Sequence, residues 1–383
     1  MTRAPEPIKL LLVVDSLAVG GAERQVAELA VSLRHKGYKV TVACSVAGDL
    51  SRALEEEGVP VRPLLERLAK RRFSPAYAWR LRRLLRSERF DLVHAHIYAS
   101  VVAAAFATLG LGVPLVITEH TEASWQTWRA RWASRWAYRL AERIIAVSDP
   151  IRRRLIERDG VSPDLIAVVP NTVSPDSDPS PEPLPAGLRG HPLVGVIARL
   201  QPEKGVANFL AAAARVAPLF PKIHFVVAGD GPLREKLAAL AEDLGLGSRV
   251  HFLGFRSDAS VLMKSLDVLV VPSLTEGSPL VTLEAMAAGT PVVASAVGGI
   301  PDQVRHDREG LLVPSGDPAA IADALVDLLR DPARARRLGE AGYRRAASRF
   351  SHAAMVGRIE DVYREALGRP PAQSTASELR TSR

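Results

Sequence analysis

Two glutamates eight positions apart, Glu276 and Glu284, stand in the segment Glu276-Gly-Ser-Pro-Leu-Val-Thr-Leu-Glu284-Ala-Met-Ala-Ala-Gly-Thr-Pro-Val-Val. Glu276 lies in a Gly/Ser/Pro turn. Glu284 lies inside the short apolar helix that follows, which Gly289 and Pro291 end. The strand before it reads Asp267-Val-Leu-Val-Val-Pro272, so the unit is strand, loop, helix, strand. In a parallel sheet such a loop lies at the carboxyl end of its strand, where open α/β sheets bind ligands. Backbone N–H groups at the helix start, near Leu280 and Val281, suit a phosphate. Two carboxylates flanking an anion site suit the hydroxyls of a sugar and a ribose. The plainer alternative is a surface helix carrying two solvated glutamates.

Arg199 follows another apolar run, Leu193–Ala198, and Lys204 stands five positions later at the start of the next helix. A guanidinium making two parallel contacts and an ammonium acting as a point charge fit a diphosphate. The alternative is a surface ion pair between Lys204 and Glu203. Nearer the amino end, Asp15-Ser-Leu-Ala-Val-Gly-Gly-Ala-Glu follows the first strand. It holds neither G-x-G-x-x-G nor G-x-x-x-x-G-K-[ST], so neither a dinucleotide fingerprint nor a P-loop is present. Gly20 and Gly21 precede a helix and let backbone approach a ligand closely. His120 closes the strand Leu115-Val-Ile-Thr-Glu-His, and its neighbour Glu119 points to the opposite face. His94 and His96 are two apart on a strand and face the same way. With His120 they would make a three-histidine metal site. No acidic partner stands at useful spacing and no D-x-D motif accompanies these histidines, so a lining or core role is expected and no metal is assigned.

These residues recur in order with other short motifs: Gly20-Gly21-Ala22-Glu23, His94-Ala-His96, Thr118-Glu-His120, Ala146-Val-Ser148, Val169-Pro-Asn171, Arg199 with Lys204-Gly205, Gly229-Asp-Gly-Pro232 and Gly254-Phe255. The ordered set resembles the retaining glycosyltransferases of family 4, which have the GT-B fold, over nearly the whole chain from Ile8 to Leu367. The resemblance implies an α/β protein of two Rossmann-like doubly wound domains facing each other across a cleft. It implies transfer of a sugar from a nucleoside-diphosphate sugar to a hydroxyl acceptor, a sugar or a lipid-linked one, with no metal or other cofactor. By the same resemblance, Gly20, Gly21, Arg199, Lys204, Leu280 and Val281 meet the donor diphosphate, and Glu284, Gly254 and Phe255 meet the nucleoside. His120, beside the transferred sugar, and Glu276, on its hydroxyls, are the catalytic candidates. No covalent nucleophile is evident. The implied chemistry is same-face attack, with the leaving phosphate oxygen taking the acceptor's proton, in cell-surface polysaccharide or glycolipid synthesis. Two rivals stay open: a non-hydrolysing nucleotide-sugar 2-epimerase and a non-catalytic GT-B partner subunit.

The elements that must position these groups alternate regularly. Strands are expected at Ile8–Val14, Val40–Val46, Val59–Pro63, Leu92–Ala95, Leu115–Thr118, Ile144–Val147 and Ile166–Val169, with helices between, as in a doubly wound sheet. A second series runs through Leu193–Ala198, His224–Ala228, Val250–Phe252, Val268–Val271, Val292–Ala294 and Gly310–Val313. The expected domains are 1–172 and 193–350, joined by a Pro-rich linker at 173–192. A helix at 351–368 crosses back to the first domain, and 369–383 is a disordered tail.

The chain has 383 residues, 47% of them hydrophobic, enough for two or three cores. Its single cysteine, Cys44, excludes an intrachain disulfide and fits a reducing compartment. The polar start is unlike a signal peptide, and Val101–Ile117, broken by Gly110, Gly112 and Pro114, is short of a membrane span. The expectation is a cytoplasmic protein, either soluble or peripheral on the inner face of the plasma membrane. Net charge is +8, and Glu66–Phe90 alone holds nine Lys and Arg. Such a patch suits an anionic membrane surface, an acidic acceptor, nucleic acid or a solvated helix face; no nucleic-acid motif accompanies it. Trp125, Trp128, Trp132 and Trp136 form one helical stripe interleaved with arginines, readable as core packing, an interfacial helix or an acceptor wall.

Overall fold

The structure, a computed structural model, describes residues 6–18, 20–66, 74–121, 127–173, 184–188 and 190–369. Leu10 to Val14 have no exposed surface. Successive side chains feed two different cores. Leu11 and Val13 pack in the cluster of Ala103, Ile117 and Tyr138, whereas Leu10, Leu12 and Val14 pack in that of Val26, Leu29 and Tyr363. A strand buried on both faces is the mark of a parallel sheet with helices on each side. This strand is β1 (Lys9–Ser16). Its sheet holds β2 (Lys39–Val46), β3 (Val61–Pro63), β4 (Leu92–His96), β5 (Leu115–Glu119), β6 (Arg143–Ala146) and β7 (Ile166–Val168) in the order β3-β2-β1-β4-β5-β6-β7. Every pairing in it is parallel.

A second unit repeats the pattern with β8 (Leu193–Ile197), β9 (His224–Ala228), β10 (Val250–Gly254), β11 (Val268–Val271), β12 (Val292–Ser295) and β13 (Gly310–Val313). Its order is β10-β9-β8-β11-β12-β13, again parallel. The order reverses between β1 and β4 in one unit and between β8 and β11 in the other. Loops leaving those strands therefore open at the switch points where such sheets take ligands.

One unit comprises the chain to Val169 and from Ala353 on, the other Pro170–His352. Asn171 already belongs to the second: its Nδ2 donates to Ser278 O at 2.8 Å. Most of the expected linker, and the tail from 370, lie outside the described residues. The last helix, His352–Ala366, buries Met355, Val356, Ile359, Val362 and Tyr363 in the first unit's core. Lys36 Nζ lies 2.5 Å from Glu360, and Arg143 Nε 2.9 Å from Glu365. No helix among the described residues is long and apolar enough to cross a membrane.

The tryptophan stripe is a correction to the core-packing reading. The helix Trp128–Tyr138 starts at the cap Thr127 and buries Ser134, Ala137 and Tyr138. Trp136 packs at the core's edge, while Trp128 and Trp132 are 73% and 67% exposed. Trp125 lies outside the described residues, as do Arg67, Lys70, Arg71 and Arg72. Two of the remaining basic residues serve the fold. Arg82 Nη1 donates to Ala107 O and Leu109 O at the end of the helix Tyr98–Thr108, and Arg80 Nη1 donates to Leu64 O.

Candidate active site

In the second unit, the loop after β8 carries Arg199, exposed, between Ala198 and the fully buried Leu200. It is held by its neighbour: Ala198 N donates to Ala228 O at 3.0 Å and Leu200 N to Asp230 O at 2.9 Å. Gly229 and Gly231 allow this approach. A Cβ on Gly229 would lie 1.9 Å from Ala198 O, and one on Gly231 2.6 Å from Leu200 O. The chain then makes a single turn, Pro202–Lys204, and leaves it through Gly205 at φ 63. A Cβ there would sit 2.0 Å from Pro272 O, so only glycine lets this turn rest against the exit of β11.

That packing decides where Lys204 points. Its Nζ lies 2.7 Å from Glu276 Oε1, which also accepts from Ser273 Oγ at 2.7 Å. The side chain of Glu276 is 8% exposed and that of Lys204 28%. The surface pair with Glu203 is thus not formed; Glu203 contributes its carbonyl, which accepts from Leu274 N at 2.8 Å. A carboxylate this buried needs a charged or hydrogen-bonding partner, and Lys204 with Ser273 supplies both. From the other side, Gly298 at φ 53 lies so near that a Cβ would be 1.8 Å from Glu276 O, and Gly299 N donates to Gly277 O at 2.8 Å.

The helix Leu280–Ala287 begins two residues after Ser278, with Pro279 at its N-cap, no side-chain cap and no acidic residue in its first turn. Its start is anchored from behind. Gln303 Nε2 donates to Ser278 Oγ at 3.0 Å and to Pro279 O at 3.2 Å. The half-buried Leu280 and Val281 carry N–H groups of the kind that bind phosphate at helix starts. Glu284, half-buried and one turn on from Leu280, lies on the same helix face. At the exit of β10, Gly254 adopts φ 72 and Phe255 is 62% exposed. Beyond it Arg256 binds Asp258 through two contacts of 2.7 and 2.6 Å. The structure therefore joins Lys204 to Glu276 and sets Arg199 on the loop after β8 and Leu280 and Val281 at the helix start that follows the adjacent strand β11. Ser273, Gly298 and Gln303 were not singled out by the sequence; the Gly-Gly pair at 298–299 was the one signal of a close approach there.

In the first unit, Gly20 caps the helix Gly21–His35 at φ −153, an ordinary extended conformation. A Cβ on it would meet the Glu23 carboxylate at 2.3 Å. At the exit of β1, Asp15 Oδ1 accepts from Ser100 N at 2.7 Å and Ser100 Oγ at 2.6 Å, and burial raises its carboxyl above the usual range. Glu119 faces away from His120, as alternation requires, and is buried against Arg154 at 3.0 Å. His94 and His96 share a face. His94 is locked between Tyr363 OH and Thr118 Oγ1, each at 2.7 Å. His96 Nδ1 lies 3.1 Å from His120 Nε2. Among the described residues no group of three or more His, Cys, Asp or Glu is arranged to hold a metal ion.

Burial pushes His94 down to about 3 and His120 down to about 4, and holds His96 well below the ordinary imidazole range. The unfolded chain takes up protons on these rings from about pH 6.5 downward. The folded chain does not, until His120 titrates near 4 and His94 near 3. Acidification through that window therefore favours unfolding of this unit, while the raised carboxyl of Asp15 acts in the opposite sense. The expected result is that the ring proton shifts of His94, His96 and His120 stay constant by NMR from pH 8 to pH 5. A midpoint near 6.5 for any of them would contradict their burial.

Comparison with known proteins agrees with the two-sheet fold. The profile described as Glycosyltransferase Family 4 matches residues 19–177, and that described as Glycosyl transferases group 1 matches residues 187–345. The chain is 33% identical over 362 residues to a phosphatidyl-myo-inositol mannosyltransferase of Mycobacterium leprae, covering 90% of this chain and 92% of that one. It is 32% identical to a D-inositol 3-phosphate glycosyltransferase of Thermobispora bispora, covering 91% of each. Among solved structures, the UDP-glucose complex of Anabaena HepE superposes with a TM-score of 0.81 at 25% identity, covering 93% of this chain and 99% of that one. Sucrose-phosphate synthase from Thermosynechococcus elongatus matches in fold with a TM-score of 0.81 at 23% identity, covering 94% and 99%. With a family profile matched in each unit and relatives aligned along nine-tenths of its length, the chain belongs to the family 4 glycosyltransferases of the GT-B fold.

Proposed function

We propose that this glycosyltransferase moves a sugar from a nucleoside-diphosphate sugar to a hydroxyl acceptor with retention of configuration, the donor being held by the second unit. Arg199, Lys204 and the N–H groups of Leu280 and Val281 take the diphosphate. Glu276 takes donor-sugar hydroxyls; Glu284, Gly254 and Phe255 take the nucleoside. Gly20, Gly21 and His120 serve the first unit's side of the reaction. The observation that carries this reading is the Lys204–Glu276–Ser273 cluster beside a helix start at the β8/β11 switch point. An ammonium suited to a leaving phosphate there adjoins a carboxylate suited to sugar hydroxyls, which supports the reading, since stabilising charge on the leaving group is the largest electrostatic task in such a transfer. Uridine is the first base to test, because the complex of Anabaena HepE holds UDP-glucose. The 2-epimerase reading is not favoured, since the relatives are named as transferases.

No divalent ion is required in this reading, because Arg199 and Lys204 supply the positive charge a metal would otherwise bring. A panel of nucleotide sugars, assayed for slow hydrolysis and for transfer with and without chelator, tests both points. One donor should stand out and turnover should survive chelation. Complete loss on chelation, restored by one divalent ion, would contradict the metal-free reading.

A lipid-linked acceptor is favoured by one observation, the exposed Trp128 and Trp132 on an arginine-bearing helix, with Arg129 5.1 Å from the Trp128 ring. Indoles at headgroup level and arginines on lipid phosphates would hold this face to an anionic bilayer. Vesicle sedimentation at low salt should show binding to anionic but not neutral vesicles, weakened by salt. Equal behaviour of the two vesicles would point to a soluble acceptor instead.

A further inference from the structure

We infer that His96 is a positioning residue for His120, fixing that ring's orientation and tautomer through the Nδ1···Nε2 contact. The inference rests on the proposed place of His120 in the transfer. Three observations converge on it. First, the 3.1 Å contact is the one hydrogen bond each ring makes among the described residues; His96 Nε2 and His120 Nδ1 are buried and have no partner there. Second, His96 packs against His94, ring centroids 4.0 Å apart and planes tilted by 39°, and His94 is pinned at both nitrogens, by Thr118 and by Tyr363 of the last helix. Third, the residue after His96 is Ile97 at φ 67 and ψ 147, a conformation a β-branched residue adopts only where surrounding structure imposes it. The chain turns sharply there and β4 ends at His96, whose ring meets that of His120, the residue just past the end of the neighbouring β5.

The chemistry of two neutral imidazoles sharing one proton makes this contact directional. If His120 Nε2 carries the proton, His120 Nδ1 is a bare acceptor and His96 Nε2 a donor. If His96 Nδ1 carries it, both outer nitrogens reverse. The outer pair is always one donor and one acceptor. His120 therefore cannot choose its tautomer alone. The single proton between the rings decides whether it accepts from, or donates to, a sugar hydroxyl.

The test uses the full-length protein with the best donor of the panel. His96→Phe keeps an aromatic ring against His94 and removes both nitrogens, Nδ1 among them. It should lower kcat about 10- to 100-fold with donor KM changed by no more than about twofold, as for a misaligned reacting group. His96→Asn, whose amide reaches the place of Nδ1, should recover most of that loss. In the wild type, ¹⁵N NMR should show one tautomer for His120 and a scalar coupling across the N–H···N bond; in His96→Phe the ring should become a mixture. A His120 tautomer unchanged in His96→Phe, or no coupling in the wild type, overturns the inference whatever the activity does. Unchanged kcat in His96→Phe, with His120→Ala inactive, overturns it too and leaves the place of His120 intact. Wild-type turnover in His120→Ala would instead remove His120 from the reaction.

Discussion

Lys204→Ala is expected to lower turnover by roughly 10²- to 10³-fold, the size of effect seen when a transition-state charge contact is lost. Arg199→Ala should do the same, and the two should differ in what else they disturb. Arg199 is exposed on its loop, so its removal should leave the melting temperature unchanged. Lys204 is the cation of the nearly buried Glu276. Its removal leaves that carboxylate with the Ser273 hydroxyl among its known partners, and an incompletely paired buried acceptor costs about 1–3 kcal/mol. The second unit of Lys204→Ala should therefore melt earlier as well as turn over slowly. Steady-state kinetics at saturating donor with a thermal melt decide this. Near-normal turnover in both variants would refute the diphosphate assignment.

Glu276→Ala and Glu284→Ala should separate by role. Glu276→Ala should lose turnover by about 10² or more, yet keep or improve affinity for the free nucleoside diphosphate, because the Lys204 ammonium it now holds at 2.7 Å is released. Glu284→Ala should weaken the free diphosphate by about 10- to 100-fold, the value of a charge-assisted hydrogen bond. Calorimetric titration reads both. Equal losses of affinity in the two variants would contradict the division of labour.

The sheets were legible in the sequence because parallel strands buried on both faces appear as unbroken apolar runs. Gly310–Val313 and Val268–Val271 are found as expected, and Ile8–Val14 shifts only to Lys9–Ser16. Val59–Pro63 shortens to Val61–Pro63, since Pro60 has no N–H to give a ladder. Long-range pairing was not legible. Glu203, adjacent in sequence, looked like the natural partner of Lys204, yet Glu276, 72 positions away, takes that place. The reason is Gly205, whose positive φ turns the loop against Pro272, and no local pattern encodes what a loop will rest on. Helical spacing told that Trp128, Trp132 and Trp136 share a side but not which side. Ala137 and Tyr138 fill the core, Trp136 packs at its edge, and the indoles of Trp128 and Trp132 are left toward solvent. The histidines were read as a possible metal set or a lining. The structure resolves them into a pinned ring, a second ring packed against it and a third ring bonded to the second.

The most direct test of the central claim is the stereochemistry and stoichiometry of one turnover. With an α-linked nucleoside-diphosphate sugar and a hydroxyl acceptor, NMR of the product should show an α-linkage, with one nucleoside diphosphate released per bond formed and no metal added. A β-linked product, or a nucleotide sugar returned intact but epimerised, would contradict it.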